Sequence, residues 1–231
     1  MSDRIQFSGF TPDTGAFLWD LAFHNERPWF LEHKQRFLTS VKEPFDALGR
    51  ALLDRMQERY PDMPWQLHVS RIYRDARRLF GRGPYKDHLW LTVWSGADRH
   101  DNPAFWTEIS PTGYEYGVGF FQALPREMEE YRRYIREHPE EVSRLARRLV
   151  RRGEFALVGE DYKRPRGDVG ELLNPWYNKR WVGVAAAFDY DDRAYSPSLP
   201  EQIAEAYEFL MPYYRFFRIF RQEETENYSD L

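Results

Sequence analysis

Residues 89–94 read Leu-Trp-Leu-Thr-Val-Trp. In an extended chain successive side chains point to opposite faces, so Leu89, Leu91 and Val93 share one face and Trp90, Thr92 and Trp94 the other. Both faces are largely apolar, as in a central strand covered on each side. Such a strand needs neighbours, and short runs of β-branched and aromatic residues at Leu67–Tyr73, Phe105–Ile109 and Tyr114–Phe121 supply them. Pro111-Thr112-Gly113 is a turn signal between the last two. The spacing predicts an antiparallel meander.

Helical periodicity flanks this region on both sides. Thr11 is placed to cap a helix that starts at Pro12 and turns Phe17, Leu18 and Leu21 to one face. Trp29, Phe30, His33 and Phe37 continue the pattern, and Phe45, Leu48, Leu52, Met56 and Tyr60 line one face of a longer helix that Pro61 and Pro64 end. Beyond the meander, Met128, Tyr131 and Ile135 follow Pro125, and Val142, Leu145, Ala146, Leu149 and Val150 follow Pro139. Short strands are expected at Phe155–Val158 and Trp181–Phe188, and a last helix from Pro200 carries Ile203, Tyr207, Leu210 and Met211. The expected architecture is α+β, an antiparallel sheet packed with helices in a single domain over 1–231. Its parts are N-terminal helices at about 12–60, the meander at about 66–121, helices at about 126–152, and a C-terminal strand and helices at about 181–221.

The composition bounds the function. Hydrophobic residues at 42% and charged residues at 30% describe a globular chain, while 17% aromatic residues exceed ordinary usage and serve either a core or a groove. There are no cysteines, which excludes disulfides, thiolate metal sites and cysteine nucleophiles, and a reducing cytoplasm is the simplest setting. The N-terminal MSDRIQFSGF has no apolar stretch of signal-peptide length and no apolar run is long enough to span a bilayer, so no membrane association is expected. There is no HExxH, Walker-type glycine loop or GxSxG elbow, and the histidines lack metal-ligand spacing.

Chemistry concentrates in residues 71–88, RIYRDARRLFGRGPYKDH. Arg71, Arg74, Arg77, Arg78, Arg82 and Lys86 face only Asp75 and Asp87, although the whole chain carries a net charge of -4. Guanidinium forks bind carboxylate or phosphate, and the Gly81-Arg82-Gly83-Pro84 turn can present backbone amides to an anion. The expected ligand is a small phosphate- or carboxylate-bearing molecule held by Arg74, Arg77 and Lys86, with Tyr85 donating a hydrogen bond. Arg71 and Tyr73 share one strand face and Arg74 takes the other, so the arginines converge only if the loop folds back. Asp75 orients an arginine and is the acid–base candidate if a reaction follows binding. The competing account is a buried ion-pair network that pins a long loop.

Taken in order, NERPWF at Asn25–Phe30, RIYRDAR at Arg71–Arg77, PYKDH at Pro84–His88 and KRPRG at Lys163–Gly167 resemble a conserved-hypothetical family, domain-of-unknown-function family twenty-four sixty-one. The family pattern reads RDTRFSKDKTPYK. Arg74, Asp75, Arg77, Pro84, Tyr85 and Lys86 match it, whereas residues 78–83 depart and Arg82 replaces a lysine. His24-Asn25 stands where the family tends to carry Asn-Asn. The resemblance implies one domain with one shared site and implies no reaction or cofactor. It also draws in Asn25, Arg27 and Trp29 as a border of that site, with Asn25 as an amide donor and Trp29 as a stacking wall. From spacing alone Asn25 caps a helix and Trp29 fills core. Lys163 and Arg164, with Arg166, either close over the anion or form an exposed basic turn.

Three weaker readings remain. The arginines between Arg144 and Arg152 fit a nucleic-acid face, but the net negative charge weighs against it and favours a solvated helix face. Asp98, His100 and Asp101, or Asp189, Asp191 and Asp192, have the composition of a hard-cation loop and equally that of ordinary turns. Trp90, Trp94 or Trp106 would have to be exposed to stack on a carbohydrate. The rival to a small-ligand site is a noncatalytic interaction module whose basic loop docks on an acidic protein or nucleic acid.

Overall fold

The computed structural model describes residues 6–75, 77, 79, 81–96, 103–120 and 123–220. Near its start, α1 (Pro12–Phe23) begins where the Thr11 N–H donates to Thr14 Oγ1 at 3.2 Å, with Pro12 in the first turn. Two short helices, α2 (Arg27–Glu32) and α3 (Lys34–Phe37), lead through a wide π-helical turn at Leu38–Lys42 into α4 (Glu43–Arg59). The sheet then follows as β1 (Trp65–Val69), β2 (Leu89–Ser95), β3 (Ala104–Ile109) and β4 (Gly113–Gly119). After α5 (Pro125–Glu137) and α6 (Pro139–Arg152) come β5 (Ala156–Val158), α7 (Asn174–Tyr177), β6 (Gly183–Asp189) and α8 (Leu199–Arg218). The strands form one antiparallel sheet in the order β1-β2-β3-β4-β6-β5. The fold is α+β, a single sheet packed with helices.

The described residues fall into two compact units, one drawn from 6–96, 106–116 and 187–208, the other from 103–105, 117–186 and 209–220. In the first unit, the β1–β2 register pairs Leu67 with Val93 and His68 with Thr92. Gly49 of α4 lies so close to Leu67 and Leu91 that an added Cβ would sit 3.3 Å from each, which puts α4 on the leucine face. Arg55 of α4 bonds Glu201 of α8 at 2.6 Å, and Thr107 Oγ1 meets Tyr207 Oη of α8 at 2.9 Å, so the start of α8 lies on this same face. By alternation Gln66, His68, Trp90, Thr92, Trp94, Trp106 and Glu108 occupy the opposite face. The His68 and Trp90 rings, 5.3 Å apart, meet there.

In the second unit, α5 packs on α6 and α7, and α6 on β5. Phe105 stacks on Tyr214 at 4.9 Å and Phe120 packs on Phe217 at 5.6 Å, so the end of α8 supplies its core aromatics. The α6 arginines divide. Arg148 lies 4.5 Å over the Phe209 ring and Arg152 pairs with Glu154 at 2.8 Å, while Arg144, Arg147 and Arg151 are exposed. No described helix is long and apolar enough to cross a membrane.

The Thr107–Tyr207 bond joins two fully buried hydroxyls. Tyr207→Phe leaves the Thr107 hydroxyl without its partner, and urea unfolding should show a loss of about 1–2 kcal/mol.

Candidate functional site

The segment between β1 and β2 folds back on itself as an irregular hairpin. Tyr73 bridges Tyr85 in antiparallel fashion, the Arg74 N–H donates to the Pro84 carbonyl at 2.8 Å, and the Lys86 N–H donates to the Ile72 carbonyl at 2.7 Å. The tip turns through Gly81, whose φ of 78° lies in the left-handed region that glycine enters without strain. Asn25, in the connection between α1 and α2, clamps the returning arm. Its Nδ2 donates to the Tyr85 carbonyl and its Oδ1 accepts the Tyr85 N–H, both at 2.9 Å. Gly83 makes room for this approach, since a Cβ there would sit 2.3 Å from Asn25 Oδ1. The Tyr85 ring stacks on Phe30 of α2 at 4.2 Å. Arg74 Nε donates to the Tyr85 carbonyl at 2.7 Å, and its Nη2 lies 3.6 Å from Asp87.

The predicted residues thus separate by location. Asn25, Tyr73, Arg74, Tyr85 and Lys86 meet in the hairpin and its clamp. Arg71 and Arg27 are exposed, as is Tyr73. Arg77 is exposed and bonds Asp75 through both its N–H at 3.0 Å and its Nη2 at 2.9 Å. Asp75 therefore pairs with an arginine at the surface rather than in a buried network. Trp29 is half-buried and stacks between His24 at 5.5 Å and His33 at 4.2 Å. Lys163 and Arg164 are exposed residues of the second unit. Arg78 lies outside the described residues, as do Asp98, His100 and Asp101.

Lys86 has the most unusual environment in the hairpin. Its ammonium lies 5.6 Å from the centroid of the Trp90 ring, half-buried, with no carboxylate within ion-pair distance among the described residues. Burial pushes its pKa down, the Glu108 carboxylate opposes that shift, and Arg74 adds to it. Glu108, on β3, is half-buried without a hydrogen bond among the described residues. Burial raises its carboxyl above the ordinary value; His88 and Lys86 pull it down, while Glu115 and Asp87 push it up. On β4, Glu115 accepts from Trp106 Nε1 at 3.3 Å, and His88 Nδ1 lies 2.9 Å from Asp87. Thr92 Oγ1 and Trp94 Nε1, on the β2 face that carries Trp90, are buried without hydrogen-bond partners among the described residues. The arrangement can hold a ligand oxygen between a cation and a protonatable carboxyl.

Glu108 and Glu115 were not singled out in the sequence. The available signal was a carboxylate in each of two otherwise apolar strands, AFWTEI and GYEYGVG, on either side of a tight turn. Trp94 and Trp106 are buried, and Trp90 is half-buried. Among the described residues no three His, Asp or Glu side chains converge as a metal site, and Asp191 bonds Arg193 at 2.7 Å.

The comparisons with known proteins agree with the motifs. No match is found among curated proteins. Residues 13–216 match the family described as conserved hypothetical protein (DUF2461), a span that includes the Asn25 clamp, the whole 71–88 hairpin and the 163–167 loop. The chain belongs to the DUF2461 family of conserved hypothetical proteins.

Proposed function

We propose that this protein binds a small anionic ligand, phosphate- or carboxylate-bearing, at the Lys86 ammonium on the Trp90–Glu108 face of the sheet. The observation that carries this reading is a half-buried ammonium with no carboxylate in ion-pair range among the described residues. An ammonium removed from water is costly unless something else bonds it, and an anion restores that bond. In this reading Arg74 holds the hairpin through the Tyr85 carbonyl and adds positive field beside Lys86. Burial raises the Glu108 carboxyl and so favours its protonated form, which donates to a ligand oxygen instead of repelling it. In the cytoplasm that the cysteine-free composition favours, phosphorylated metabolites and organic acids are the available ligands.

Exposed Arg71, Tyr73 and Arg77 favour a second reading, docking of the loop on an acidic protein or nucleic acid. Salt-sensitive binding of a macromolecule with no small-molecule stabilisation would select it.

A thermal-shift screen with phosphate, sulfate, nucleotides, sugar phosphates and carboxylic acids tests the first reading. A true ligand at a hundredfold excess over its Kd stabilises the fold by about 2.7 kcal/mol. Lys86→Met should remove or reduce the shift of at least one of these compounds while unfolding as cooperatively as the parent. Shifts that Lys86→Met leaves undiminished for every compound, or no shift from any compound, sink the proposal.

The carboxyl makes a separate prediction. Above the ordinary glutamate value of 4.5, the folded protein retains a proton on Glu108 that the unfolded chain has lost. Its contribution therefore weakens stability as pH rises from that value through the raised one. Glu108→Gln should match the parent in acid and gain on it towards neutral pH, by a few degrees in Tm. A difference between the two proteins that does not change with pH would show that Glu108 titrates normally.

A further inference from the structure

The second unit contains a cationic cluster of its own. Arg132 of α5 is 2% exposed, a rare state for a guanidinium. Its Nη2 donates to Glu129 at 2.8 Å, but its Nη1 is buried without a partner among the described residues. The guanidinium carbon lies 5.4 Å from the centroid of the Tyr162 ring, and that of Arg166 lies 4.2 Å from the same ring. One turn along α5, Arg136 donates through Nη1 to Tyr177 Oη. Neither Arg136 nor Arg166 has a carboxylate within ion-pair distance among the described residues, and both are exposed.

Asn178 holds the loop that carries Arg166. Its Oδ1 accepts the Arg166 N–H at 2.6 Å and its Nδ2 donates to the Gly167 carbonyl at 3.2 Å. The loop backbone is thereby set before any ligand arrives, which lowers the ordering cost of binding. Glu129 reports how closely the cations gather. The hydrogen bond from Arg132 is the largest cause holding its carboxyl below the ordinary value, and the charges of Arg132, Arg166 and Arg136 act in the same direction. Three guanidinium groups around one carboxylate leave a surplus of two positive charges, the complement of a phosphate monoester dianion.

We infer that Arg132, Arg136 and Arg166 form a second oxyanion site, within the second unit, that takes the phosphate of a small phosphomonoester. Arg136 and Arg166 supply exposed forks for the phosphate oxygens. Arg132, buried against Tyr162, adds its charge to the field that attracts the phosphate. Lys163 and Arg164, exposed next to Arg166 in sequence, add to the attraction for the anion.

Isothermal titration with inorganic phosphate at low salt, on full-length protein carrying Lys86→Met, isolates this site from the one proposed on the sheet. Phosphate binding should persist in that background and weaken at least tenfold when Arg136→Ala and Arg166→Ala are added. Both added changes are at exposed positions, and Arg132, whose loss endangers the fold, is left in place. Binding lost with Lys86→Met alone would mean that only the site on the sheet takes phosphate, and would overturn the inference without touching the first proposal. So would phosphate binding indifferent to the two arginine changes, or no phosphate binding at all. Retention of a nucleic-acid duplex without phosphate binding would assign the cluster to a macromolecular surface and equally overturn it.

Discussion

The side-chain amide of Asn25 imitates a neighbouring strand. It offers one donor and one acceptor to the two polar groups of the Tyr85 backbone, of which the hairpin's own side chains reach the carbonyl, through Arg74 Nε. With that pair satisfied, the returning arm at Tyr85 is held, and the residues after it enter β2 in a fixed register. Tyr85 on Phe30 is the apolar counterpart of the same junction. Gly83 completes it by omission, because any side chain there would occupy the space that the Asn25 amide needs. The position of Lys86 over Trp90 is a consequence of these contacts, one residue further along.

Charge in this protein is sorted by burial. Surface cations such as Arg77 and Arg193 pair with an aspartate two residues away, a local arrangement worth little in water. Lys86 and Arg132 are different, since each is withdrawn from solvent and under-supplied with acceptors among the described residues. Burial without full pairing is costly, and it is the feature that distinguishes a candidate ligand site from a decorated surface. Glu108 belongs to the same class. Its raised carboxyl and the lowered Lys86 ammonium lie within each other's field, so burial brings the two groups' proton affinities closer together than either would have in water.

Much of the hairpin was legible before its fold was known. The density of arginine in residues 71–88 stood out against a chain of net charge -4, and Asn25 was drawn in by the resemblance. The sorting of those residues was not legible. Arg71 and Arg77 carry the same charge as Arg74, yet they are exposed while Arg74 bonds the backbone of Tyr85. Nothing in the order of residues separates them, because the difference arises from the hairpin folding back so that Tyr73 meets Tyr85. Glu108 and Glu115 escaped notice for a related reason. A single carboxylate in a strand reads as an outward-facing residue, and its partner lies across a turn.

What the sequence determined by itself was local. The alternation at Leu89–Trp94, the proline-started helices and the turn at Pro111–Gly113 specify elements through periods and backbone restrictions that operate over a few residues. From these the α+β class followed. The tertiary structure decided everything that depends on distance through space: which face of β2 meets α4, which cations lose their water, and which carboxyl is raised above its ordinary value. Those quantities are set by burial and by charges many residues apart, as Asn25 is from Tyr85 and Lys86 from Glu108, and a linear order of residues does not contain them.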